Sequence, residues 1–182
     1  MKRLLLLLAA LCLFAAGPAS ADPDPWAAKL KNGVLELAWE DLIPPDFTMD
    51  SLNKKYQVDD LEDDDPRAAQ VMQAIQDELN NAPVVESLDG RTVKLPGFVL
   101  PLEGDGKKVS EFLLVPYFGA CIHVPPPPSD QIIYVKTGPK GAAVRNMFDT
   151  VWVTGKLIVS RFSNDLGNAG YTLEADKVEP YE

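Results

Sequence analysis

The chain predicts a mainly β protein: a five-stranded, OB-like antiparallel barrel preceded by a helix. Three observations predict it. Hydrophobic periodicity changes from helical to alternating near Val84. Turn signals then recur at short intervals, at Leu88-Asp89-Gly90-Arg91, Gly104-Asp105-Gly106-Lys107 and Gly138-Pro139. Between them lie five runs of strand character, with room for a small helical insert between the third and fourth, which is the strand order of an OB barrel. A generic small barrel or sandwich is the alternative.

From the N-terminus, residues 1–21 have the three parts of an export signal: Lys2 and Arg3, the uncharged run Leu4 to Ala16, and the small-residue site Ala19-Ser20-Ala21. The run is too short to span a bilayer, and cleavage is expected after Ala21, giving a periplasmic protein. Residues 22–83 form an N-terminal extension. Within it, Val34 to Trp39 is strand-like and Asp59 to Asp65 is an acidic surface loop. A helix is expected from Pro66 to about Asn81, with Asp65 as N-cap and Ala68, Val71, Met72, Ile75 and Leu79 as its apolar stripe. Residues 84–182 hold the barrel: Thr92 to Leu102, bent at Pro96-Gly97; Val109 to Tyr117; Gln131 to Lys136; Val151 to Val159; and Tyr171 to Tyr181. Phe112-Leu113-Leu114-Val115 is apolar at every position, so that strand is buried on both faces or packed under a loop.

Charge narrows the function. Loss of Lys2 and Arg3 with the leader takes the formal net charge from −10 to −12. Such a chain is repelled by nucleic acid and by anionic headgroups, and favours cations and basic protein surfaces. No second apolar stretch is long enough to cross a membrane.

Tyr117 to Pro128 is the segment that carries chemistry. It holds the single histidine, His123, and the single cysteine outside the leader, Cys121. In an extended segment these two side chains point the same way, and the four prolines after Val124 keep the chain stiff beyond them. Three readings compete. A thiolate and an imidazole suit zinc or another transition metal, but two donors are too few, and the acidic loop Asp59 to Asp65 is the first place to seek others. Cys121 activated by His123 as a nucleophile lacks an orienting partner. In the third reading Cys121 is a small buried hydrophobe and the prolines shape a loop. The acidic run lacks the spacing and glycine of an EF-hand. Trp39, Trp152, Tyr117, Phe118 and Tyr134 are expected as core or rim aromatics.

Several strings taken together carry a resemblance: Trp39-x-Asp41-Leu42-Ile43-Pro44, Leu95-Pro96-Gly97-Phe98-Val99-x-Pro101-Leu102, Phe112-Leu113-Leu114-Val115-Pro116-Tyr117 and Gly119-Ala120-Cys121-Ile122-His123-x-Pro125-Pro126-Pro127-Pro128. The chain resembles a proteobacterial family of exported proteins of unknown function. The resemblance implies association with zinc-responsive ABC-transporter clusters, hence an accessory role in metal uptake. It supplies no catalytic residues. The expectation is therefore a non-enzymatic periplasmic protein that binds zinc, or a transporter component, through Cys121 and His123. The alternative is an interaction module that docks an exported or membrane partner without metal.

Overall fold

The computed structural model describes residues 24–62, 65–104, 108–122, 126–144 and 146–181. Residues 1–21, expected to be an export leader, lie outside them, as do His123, the tip of the turn at 104–107, and Asp63 and Asp64 of the acidic run. Strands β1 (Leu30–Lys31) and β2 (Val34–Glu36) precede helices α1 (Met49–Tyr56) and α2 (Ala68–Asn80). After them come β3 (Thr92–Gly104), β4 (Val109–Val115), β5 (Ile133–Lys136), β6 (Thr150–Asn164) and β7 (Gly167–Pro180).

These last five close into a barrel in the order β3-β4-β5-β7-β6, with β6 pairing back onto β3. Every seam is antiparallel except β5–β7, where Ile133 pairs Tyr171 and Val135 pairs Leu173 in parallel register. A ring with an odd number of strands cannot alternate direction all the way round, so one parallel seam is forced. The OB-like barrel expected from the sequence is present, and this seam corrects the wholly antiparallel form of that expectation. The helical insert between the third and fourth strands is reduced to the 3-10 turn Gly138–Lys140.

β3 is the strand expected over Thr92 to Leu102, continuous through Pro96-Gly97 and extending to Gly104. It pairs β6 along 92–98, β2 at Val93 and Lys94, and β4 from Phe98 onward. Pro96 falls in the gap between β2 and β4. A strand residue's N–H and C=O share one edge, and the Pro96 carbonyl accepts from the Trp39 indole at 2.8 Å. The missing N–H therefore faces Trp39 rather than a ladder partner, and proline is tolerated. Next to it, a Cβ on Gly97 would lie 2.7 Å from Leu114 Cγ and 2.9 Å from Trp39 Cζ2. Only glycine lets both cover the strand. Gly155 plays a similar part opposite the β7 bulge at Asp176, where a Cβ would sit 2.1 Å from the Glu174 carbonyl oxygen.

The barrel interior is filled from all five strands, by Leu95, Val99, Phe112, Leu114, Ile133, Val153, Leu157, Tyr171 and Leu173 among others. Tyr171 also ties the extension to the barrel: its hydroxyl donates to the Leu42 carbonyl at 2.8 Å and accepts from the Val85 N–H at 2.7 Å.

A second apolar cluster has the opposite strand parity: Leu100 on β3, Leu113 and Val115 on β4, and Tyr134 on β5. Side chains alternate across a strand, so this cluster lies on the barrel's outer face. That accounts for the uniformly apolar β4, whose Phe112 and Leu114 point in while Leu113 and Val115 point out under a loop.

The extension departs from its expected form in three places. α2 begins after Arg67, not at Pro66. Asp65 accepts from the Arg67 N–H at 2.8 Å and pairs with its guanidinium, forming a turn before the helix instead of capping it. Met72, placed on the apolar stripe, is 60% exposed, while Ile75 is buried. α1 was not expected at all. Thr48 and Ser51 cap it reciprocally, at 3.0 and 3.1 Å, and Lys55 and Tyr56 hold Glu78 of α2. Among the described residues no helix is long and apolar enough to cross a membrane.

Candidate functional site

The segment after β4 does not continue as a strand. Gly119 (φ +82°) and Cys121 (φ +67°) both take left-handed backbone, and the Ile122 N–H closes a turn onto the Gly119 carbonyl at 3.3 Å. The extended geometry expected to align Cys121 with His123 is thus absent at Cys121. The glycine two residues before the cysteine permits the reversal, and the prolines after it stiffen the return toward β5.

The turn folds back over the outer face of the barrel. Ala120 is fully buried there, and Cys121 packs half-buried beside it in the second cluster. The end of the β6–β7 hairpin covers the same face, with Phe162 stacked on Tyr134 at 3.8 Å between ring centroids. A Cβ on Gly167, in that hairpin, would lie 3.7 Å from Cys121 Sγ and 3.5 Å from Pro126 Cβ. The thiol packs against apolar groups, and burial pushes its pKa up to about 11. It is a neutral thiol at physiological pH, a poor nucleophile and a poor metal ligand until something withdraws its proton. Among the described residues no group of three or more His, Cys, Asp or Glu side chains could hold a metal ion.

Among the described residues, the turn presents two aromatic side chains and an isoleucine outward. Tyr117, Phe118 and Ile122 are 42%, 67% and 43% exposed. Phe118 rests on Phe148 at 4.9 Å and meets Phe98 edge-on at 6.3 Å. Phe148 has φ +62°, a strained conformation for a bulky side chain. Its N–H, donating to the Val99 carbonyl at 2.7 Å, holds it there. Beside it Met147 is 53% exposed. Two strained residues, Cys121 and Phe148, therefore flank one exposed apolar edge.

Sequence reasoning picked out Tyr117, Phe118 and Cys121, and the structure brings them together. It missed Phe148 and Met147, because a left-handed phenylalanine has no sequence signature and the edge is assembled from segments far apart in the chain. It also missed Asp130, in the Ser129–Gln131 3-10 turn. Asp130 is 1% exposed, and neither carboxylate oxygen has a hydrogen-bond partner. Burial raises its pKa from 3.8 to about 6.

OB barrels bind oligonucleotides and oligosaccharides on the face of their second and third strands. Here that face, on β4 and β5, is occupied by the chain itself. Among the described residues of this loop, Tyr117, Phe118 and Ile122 are exposed and Cys121 is half-buried, while His123 lies outside the described residues.

A family model described as "Protein of unknown function (DUF3299)" matches residues 39–180. The crystal structure of a DUF3299 family protein from Pseudomonas aeruginosa PAO1 is similar at 44% identity and a TM-score of 0.60, covering 82% of this chain and 97% of that one. No curated protein matches. The match to the family model spans the barrel and most of the extension, and by it this chain belongs to the DUF3299 family.

Proposed function

We propose that this protein is a non-enzymatic binding module of the exported compartment that docks a partner protein on its Tyr117–Phe118–Ile122 edge. The observation that carries the reading is Phe118. It is the most exposed large hydrophobic residue among those described, yet it is built into a cluster of three rings with Phe98 and Phe148 instead of standing loose. Exposed apolar patches of this kind mark interaction sites, and aromatic anchors contribute most where a partner buries them. The net charge of −10 favours a partner whose contact surface is apolar with basic flanks.

Photo-crosslinking in intact cells tests the proposal, with a benzoylphenylalanine at position 118 and, as a control, at exposed Met72. One discrete protein adduct is expected from position 118 and not from position 72. No adduct, or the same adducts from both positions, contradicts docking at this edge.

The zinc reading of Cys121 and His123, with its link to a transporter component, has one observation in its favour. A cysteine held at φ +67° is strained, and strain gathers at functional sites. Against it stand the neutral thiol and the lack of a third donor among the described residues. Calorimetric titration of zinc into wild type, Cys121→Ser and His123→Ala decides. Metal-specific binding lost in both variants favours zinc, and equal weak binding in all three removes it.

A further inference from the structure

Helices α1 and α2, the residues just before α1 and the Ser129–Gln131 turn surround a cavity of about 300 Å³. Ile43, Phe47, Leu52, Leu79 and Pro128 form its walls, and Met49, 53% exposed, stands on its rim. The accessible lining is almost wholly apolar. Its polar members are engaged or hidden. Thr48 Oγ1 accepts from the Ser51 N–H at 3.1 Å, the Gln131 amide donates to the Trp39 carbonyl at 2.9 Å, and both Asp130 oxygens are buried. A molecule in this space is therefore offered carbon to pack against and no group to hydrogen-bond.

Packed proteins leave few voids larger than a water molecule, and ligand sites begin at volumes of roughly 300 Å³. An apolar cavity of about half that size stays dry and takes up benzene. Any polar group placed inside this one would lose its water and gain no partner, at a cost of roughly the whole hydrogen bond. From the size and the lining together we infer that the cavity binds the hydrocarbon chain of a small amphiphile without negative charge, with the polar head left in water at the rim. The chain covers Phe47, Leu52 and Leu79. An anionic head is disfavoured: the protein carries a net charge of −10, exposed Asp46 and Asp50 bracket Phe47 to Met49 in sequence, and none of the described lining residues is cationic. The inference is independent of the docking edge, none of whose residues lines this cavity.

The test titrates 1-butanol, 1-hexanol, 1-octanol and octanoate into the protein at neutral pH, following methyl and amide chemical shifts. Affinity for the alcohols is expected to rise about fourfold per methylene, the increment for burying one CH₂ group. Shifts should centre on residues 43–52, 79 and 128–131, and octanoate should bind several-fold more weakly than 1-octanol. Leu79→Phe, which fills the cavity, should weaken 1-octanol roughly tenfold. Met49→Ser changes only the exposed rim, so the fold is kept, and it should weaken 1-octanol by a few-fold. Met72→Ser, on the exposed side of α2, should leave it unchanged. No binding of 1-octanol, affinity that does not grow with chain length, octanoate binding as tightly as 1-octanol, shifts centred elsewhere, or 1-octanol binding that survives unchanged in Met49→Ser and Leu79→Phe would each overturn the inference.

Discussion

Asp130, buried, and Cys121, half-buried, are two ionisable groups whose shifts have the same cause and different consequences. Desolvation raises both, to about 6 and about 11. For Cys121 the charged form is never reached near neutrality, so burial has no electrostatic cost and the sulfur packs as a small hydrophobe. For Asp130 the charged form dominates above pH 6, so the native state carries a penalty. Between pH 3.8 and about 6 the folded chain binds more protons at this group than the unfolded chain does, and stability falls as pH rises. The full shift corresponds to about 3 kcal/mol. Tyr171, the titratable group from β7 that feels Asp130, stays neutral across this range, its own pKa being raised to about 12. Urea denaturation of wild type and Asp130→Asn at pH 4 and pH 7 should show the variant gaining about 2 kcal/mol relative to wild type over that interval, since part of the shift is already spent at pH 4. A constant difference at both pH values would place the Asp130 carboxyl in a solvated environment.

At the scale of elements, β3 shows why some local signals mislead. Pro96-Gly97 reads as a bend because proline and glycine are poorly suited to a strand interior, and the acceptor arrangement that accommodates them involves Trp39, 57 residues away. The pair serves to let Trp39 and Leu114 approach the backbone. Gly97→Ala should overpack that contact and cost about 1–3 kcal/mol, with a shift in tryptophan emission as Trp39 is displaced. An unchanged melting temperature and spectrum would contradict the close approach. The barrel strands were legible because their alternation faces a single interior, and β4 announced its double burial by having no polar position from Phe112 to Val115. Helix α1 was not legible: eight residues of low apolar content give little periodicity, and its only sign was the Thr48–Ser51 cap. The Asp65 cap failed for a comparable reason, since Arg67 competes for the same carboxylate two residues on.

Across the whole molecule, an OB-like barrel has its customary binding face closed by its own chain. The turn after β4 and the β6–β7 hairpin cover the outside of β3, β4 and β5, and what remains available is the edge of that cover. The sequence located the covering loop through its cysteine, histidine and proline run. It could not show that the loop turns back at Gly119, nor that Phe98 and Phe148 would meet Phe118, because those contacts depend on tertiary closure. The central claim is that this edge, with Phe118 at its centre, is the working surface. The most direct measurement is the affinity of the partner crosslinked at position 118, purified and titrated against wild type, Phe118→Ser and Met72→Ser. Both substitutions remove exposed side chains, so melting temperatures should stay close to wild type. The account predicts that Phe118→Ser weakens binding by roughly 30-fold, about 2 kcal/mol, as expected of an anchor residue, while Met72→Ser binds as wild type does. Wild-type affinity in Phe118→Ser, or an equal loss in Met72→Ser, would contradict it.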